Sequence, residues 1–207
     1  MHCVRKVSDD IYWIGANDKR LQLFENIHPL TDGVSYNSYV LLDEKTVLLD
    51  TADWSVGRQF IENLEFVLAG RPLDYMIINH MEPDHCASIE EILLRYPDVK
   101  VIATAKAFQM MEQFGFGGLK ETITVKEGDT MSFGKHEFTF VGAPMVHWPE
   151  AWFPLIQQQE RCSAPMPLAL LSPWTGNSLP MKWTLTETGL TKPEDITQTS
   201  SENTALR

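Results

Sequence analysis

The segment Tyr75-Met76-Ile77-Ile78-Asn79-His80-Met81-Glu82-Pro83-Asp84-His85 joins a short apolar run to four metal-capable side chains within six residues. The run reads as a buried parallel strand, and the loop leaving such a strand is where α/β folds place their sites. Downstream, Ser88 and Glu91 have capping-box spacing, Ile89, Ile92 and Leu93 form a helical core face, and Pro97 closes the helix. Residues 99–103 form a second buried strand and Ala105–Phe114 a helix, followed by strands at 122–125 and 137–141. Upstream, residues 11–14, 38–42 and Thr46–Leu49 are strands, the last two forming a hairpin across Asp43-Glu44-Lys45. From about Ser55 a helix sets Val56, Phe60, Ile61, Leu64 and Leu68 on one face and stops at Gly70 and Pro72. Alternating strands and helices predict an α/β (α+β) domain with helices packed on a sheet.

Composition limits the classes of function. The 207 residues are 43% apolar and 22% charged, with a net charge of -11, as expected of a soluble globular chain of one or two domains. The longest apolar runs fall far short of the ~18 residues of a bilayer span, and the N-terminus lacks the apolar core of a signal peptide, so no membrane partner and a cytoplasmic location are expected. A pI near 4.9 with 17 Lys+Arg argues against nucleic acid, whose binders need clustered cations. Cys3, Cys86 and Cys162 give no disulfide framework and no CxxC pair, so a metal would be held by His and carboxylate.

Alternate side chains of an irregular loop can converge on one or two cations, and Pro83 stiffens this one. His147 follows another strand through Ala143-Pro144-Met145-Val146, whereas His2, His28 and His136 read as surface or supporting residues. Imidazole and carboxylate suit iron or manganese better than a soft-metal site, with zinc as the alternative. Two carboxylates and three histidines exceed the needs of one tetrahedral ion and point to paired metals about 3.5–4 Å apart, an arrangement that activates water or small oxygen-containing molecules.

The pattern HxExDH, with Asp50 ending the strand Val47-Leu48-Leu49 and a later lone His147, resembles the metallo-β-lactamase-like αββα sandwich. Hydrolases of that superfamily carry HxHxDH. Glu82 in place of the second histidine, together with Gly33-Val34-Ser35-Tyr36-Asn37-Ser38-Tyr39 and Met145-Val146-His147-Trp148-Pro149-Glu150, closely resembles the flavodiiron proteins over residues 11–151. The resemblance implies an oxidoreductase with two non-haem Fe ions in residues 1–151 and FMN on a C-terminal flavodoxin domain. Its substrate would be a gas, with O2 reduced to water or NO to N2O. It further implies a redox donor such as rubredoxin or a flavin reductase, and a homodimer or tetramer. By resemblance, His80, Glu82 and His147 bind one iron, Asp84 and His85 match positions at the second, and His28 and Trp148 are pocket residues. The alternative is a hydrolase of the same fold using a metal-bound hydroxide on an ester, thioester or phosphoester; Glu82 is the feature against it.

After Ala151 the strand and helix signals fail. Residues 152–207 contain no Val, Tyr or His and one Phe, while Ser, Thr and Pro supply 19 of the 56, which predicts a disordered tail. The resemblance calls for a further bridging Asp within a segment like LFSADAFG, and for a final His. Here no His follows His147, and the only later Asp is Asp195. One lost base accounts for this. If GCA for Ala151 was followed by ATG and one A was lost, the next codon reads TGG, which is Trp152. Shifting the frame back lets residues 161–169 read LFSADAFG, and residues 180–205 read a charged, aromatic, helix-forming segment. The chain as written is then expected to lack the flavodoxin domain and the bridging carboxylate. Without that anion two divalent cations repel strongly. The sandwich would be incomplete, with an edge and an apolar face exposed, and the product inactive.

Overall fold

A computed structural model of the chain describes residues 2–24, 28–31, 33–145 and 148–158, with backbone alone at 166–167, 184–186 and 189–191. Its strands in chain order are β1 Arg5–Lys6, β2 Ile11–Trp13, β3 Ala16–Asp18, β4 Leu23–Phe24, β5 His28–Pro29, β6 Val34–Tyr36, β7 Tyr39–Leu42, β8 Thr46–Leu49, β9 Tyr75–Ile77, β10 Lys100–Thr104, β11 Glu121–Val125, β12 Thr130–Ser132, β13 His136–Gly142, β14 Trp152–Gln158, β15 Met166–Pro167, β16 Thr184–Thr186 and β17 Gly189–Thr191. Its α-helices are α1 Gly57–Leu68, α2 Pro83–Cys86, α3 Ile89–Arg95 and α4 Ala105–Phe114.

Seven strands form one sheet in the order β1-β2-β7-β8-β9-β10-β11. It is antiparallel as far as the β7–β8 hairpin and parallel from β8 to β11. Period-2 alternation sends one set of side chains to each face. Val40, Leu48, Met76 and Val101 pack with Phe60, Leu64, Ile89, Ile92, Ala107 and Met111 of the helices. Leu41, Val47, Leu49, Ile77 and Ile102 pack instead with Phe138, Phe140, Trp152 and Ile156 of a second sheet, β12-β13-β14-β15. Three layers result: helices, mixed sheet, antiparallel sheet. This is the expected α/β fold class, with both faces of the main sheet covered.

Several expectations are corrected. Strand formation does not stop at Ala151: every residue of β14 pairs with β13, and Trp152, Phe153, Leu155 and Ile156 are buried. The apolar face expected to lie bare is therefore covered, because the β13 edge is extended by a strand whose apolar residues meet it. Most of residues 159–207 lie outside the described residues, so the disordered-tail expectation falls outside them too. Ser88 stands at the N-cap of α3 without a capping bond; its hydroxyl donates to Ala52 O at 2.8 Å, which ties α3 to the segment after β8. The motif is not wholly irregular either. Pro83 opens the one-turn helix α2 from its first position, where its missing N–H costs nothing. His136 is neither on the surface nor beside the motif: it is 5% exposed and paired with Asp43 at 2.7 Å.

Candidate metal centre

The site forms at the C-terminal ends of the parallel strands β8 and β9. Asp50, just past β8, takes a left-handed backbone (φ 56), and its carboxylate accepts from Asn79 N at 2.6 Å and Asn79 Nδ2 at 2.9 Å. Its Oδ2 also lies 2.9 Å from His85 Nδ1. Asp50 thus locks the end of β9 to the loop after β8 and orients one imidazole. The His85 carbonyl is held as well, accepting from Thr51 N and Thr51 Oγ1, each at 2.8 Å.

His80 emerges from the end of β9 with both ring nitrogens facing carboxylates. Nε2 lies 2.9 Å from Glu82 Oε2, and Nδ1 lies 2.8 Å from Glu150 Oε1. His85 Nε2 lies 3.4 Å from Asp84 Oδ2, and the two imidazole centroids are 5.3 Å apart. Trp148 stands edge-on to His80, with centroids 5.2 Å apart at 89°. His80, Glu82, Asp84 and Asp50 are each at most 6% exposed.

Burying three carboxylates together is unfavourable unless positive charge is supplied. Burial pushes the Asp84 carboxyl up, and nearby Glu82 and Asp50 add to this against the opposing pull of His85 and His80. Burial alone would lower His85, but Asp84 and Asp50 outweigh it and push it up to about 9. The Cys86 thiol is pushed up to about 12, mainly by burial and then by the same carboxylates, and its Sγ donates to Met81 O at 3.2 Å. Asp84 Oδ1 is buried without a hydrogen-bond partner among the described residues. A hard oxygen-and-nitrogen donor set with excess buried anion and an unsatisfied carboxylate oxygen fits a cation such as iron.

His80, Glu82, Asp84, His85 and Trp148 are thus brought together. His147 and the His28 side chain lie outside the described residues. Among the described residues no three His, Cys, Asp or Glu side chains stand as a ready metal-ligating group; they sit in pairs, His80 with Glu82 and His85 with Asp84. The residue unforeseen as part of the site is Glu150. Its position three residues after His147 was the one available signal, and the contact it makes spans 70 positions.

This three-layer α/β fold with its acidic, histidine-bearing strand ends is of the metallo-β-lactamase type. A family model described as ODP family beta lactamase matches residues 34–159, and the chain belongs to that family. The match runs through β14. Among curated relatives, the anaerobic nitric oxide reductase flavorubredoxin of Vibrio vulnificus (strain YJ016) is 35% identical over 147 residues, 70% of this chain and 30% of the relative. The nitric oxide reductase of Moorella thermoacetica is 34% identical over 155 residues, 74% of this chain and 39% of the relative. Among solved structures, a flavoprotein from Thermotoga maritima superposes with a TM-score of 0.69 at 30% identity, over 74% of this chain and 39% of that one. Rubredoxin oxygen:oxidoreductase from Desulfovibrio gigas gives 0.69 at 27%, over 73% and 38%. The resemblance to the lactamase-like domain of flavodiiron proteins therefore stands, and the chain spans well under half the length of these relatives.

Proposed function

We propose that this chain carries the metal-binding part of a flavodiiron reductase that passes electrons to a non-haem iron pair reducing O2 or NO. The observation that carries the reading is Glu82: a carboxylate occupies the second motif position, its oxygen 2.9 Å from His80 Nε2 and 3% exposed. A hydrolase of this fold would carry imidazole there. His80, Glu82 and His147 are the proposed ligands of one iron, and Asp84 and His85 those of the second. When bound, the metal supplies the redox chemistry and binds the gas. The chain's own part is to hold the donors. Asp50 and Thr51 fix His85, Trp148 packs against His80, and the surrounding core excludes bulk water. By family likeness, electrons arrive from FMN on a separate domain, fed by a donor such as rubredoxin or a flavin reductase, within a homodimer or tetramer in the cytoplasm. His28 is proposed as a pocket residue alongside Trp148.

We further infer that the text after Ala151 is the family's continuation in a shifted frame, because codon degeneracy allows a one-base restoration to read LFSADAFG across residues 161–169 in order and register. The bridging aspartate of that segment is then missing from residues 161–169, and turnover by this chain should be absent. Iron analysis tests both statements. The 207-residue chain should hold fewer than two irons and consume neither gas, whereas the frame-restored chain should hold two and, supplied with a chemical reductant, consume O2 or NO. Two irons and turnover in the chain as written would refute the shifted-frame reading. Zinc-dependent ester hydrolysis by the restored chain would refute the reductase.

A further inference from the structure

We propose that Glu150 is a positioning residue that clamps the His80 ring, so that Nδ1 keeps its proton and Nε2 is presented to the metal. The inference rests on the reading of His80 as a metal ligand. One oxygen of Glu150, Oε1, meets two partners: it lies 2.8 Å from His80 Nδ1 and accepts the Met81 amide at 3.0 Å. It therefore fixes both the ring and the backbone immediately after it. The Glu150 side chain is fully buried, and its second oxygen, Oε2, has no hydrogen-bond partner among the described residues. Burying a half-satisfied carboxylate costs free energy, and a glutamate kept solely to cap one amide would be a poor use of the site. A carboxylate behind a ligating imidazole raises its donor strength and fixes the tautomer. The Nε2 face is turned to Glu82 at 2.9 Å, on the side where the other proposed donors lie. Once a cation takes the place of a proton at Nε2, the remaining ring proton sits on Nδ1, facing Glu150. Asp50 stands in the same relation to His85, at 2.9 Å from Nδ1. Each proposed motif histidine thus has its own carboxylate, drawn from a segment remote in sequence.

Zn2+, diamagnetic and stable in air, serves as the probe on the 207-residue chain. Chelator competition gives its affinity, and nitrogen-15 NMR of the loaded chain reports the His80 ring. The expected wild-type signature is Zn2+ on Nε2 with a slowly exchanging Nδ1 proton. Glu150→Ala should lower affinity by about 10- to 100-fold and lose that proton to exchange. Glu150→Gln keeps an acceptor for Met81 N–H and the side-chain shape, so the fold survives; it should retain the Nδ1 proton, displaced in shift, with an intermediate affinity. The Trp152 indole N–H, which donates to Ile78 O at 3.0 Å, reports that the fold is intact in each variant. Wild-type affinity and an unmoved ring signal in both variants, or Zn2+ on Nδ1 in the wild type, would overturn the positioning role and leave His80 as a ligand. If the 207-residue chain takes up no Zn2+, the same comparison is made in the frame-restored chain, and a restored chain that takes up none would overturn the metal-site reading and this inference with it. If Glu150→Ala does not fold, the Glu150→Gln comparison decides alone.

Discussion

Asp43 and His136, 93 positions apart, pin the β7–β8 turn of one sheet to β13 of the other through a single carboxylate. Burial alone would push the Asp43 carboxyl up. Hydrogen bonds from His136 and from the backbone N–H groups of Glu44, Lys135 and His136 outweigh it and hold Asp43 below the usual carboxylate range. A carboxyl depressed in the folded state stabilises above its unfolded pKa and loses that contribution as pH falls through the folded value. Asp43→Ala should therefore cost about 3 kcal/mol at pH 7. The gap from wild type should narrow below about pH 4, which urea-denaturation midpoints at several pH values would reveal. Gly134 belongs to the same contact: at φ +130, an added Cβ would lie 2.4 Å from Asp43 Oδ1. Gly15 is constrained by backbone, since a Cβ there would lie 1.9 Å from Tyr36 O. Gly15→Ala should destabilise by about 3 kcal/mol, measurable as a drop in Tm.

At the scale of elements, β14 decides whether the main sheet is covered on both faces. Ending the chain after Ala151 removes Trp152 and Ile156 from the inter-sheet cluster, along with the whole β13–β14 ladder. Such a chain should lose near-ultraviolet circular dichroism and cooperative unfolding, while one ending after Gln158 should keep both. The main sheet was legible because its inner strands are short continuous apolar runs, as in Thr46–Leu49, and its helices keep a 3.6-residue apolar face, as in Phe60, Leu64 and Leu68 of α1. β14 was not, because Pro154 lacks the N–H a ladder position supplies and glutamines follow at 157–159, so the sequence demotes its own strand. The motif from His80 to His85 was readable as a cluster because its donors are contiguous. Asp84 and His85 sitting on a single helical turn, and the reach of Glu150 back to His80, depend on tertiary packing that no local pattern encodes.

At the scale of the molecule, binding of a cation to the folded state alone stabilises it through mass action. Zn2+ or Fe2+ at 100 times its dissociation constant should add about 2.7 kcal/mol, and His80→Ala should abolish the increment in a thermal-shift series at rising metal concentration. The effect would couple regions far apart, since the donors and their supports come from Asp50, from residues 79–85 and from Trp148 with Glu150. That spread matters during synthesis. While a ribosome has yet to release residue 150, the His80 ring has no carboxylate behind it and the strand ends are not yet braced by the second sheet, so a nascent chain would offer passing ions only scattered, weak donors. On that reading of the site, metal loading would wait for the finished polypeptide, because only there do the proposed donors and their supports meet.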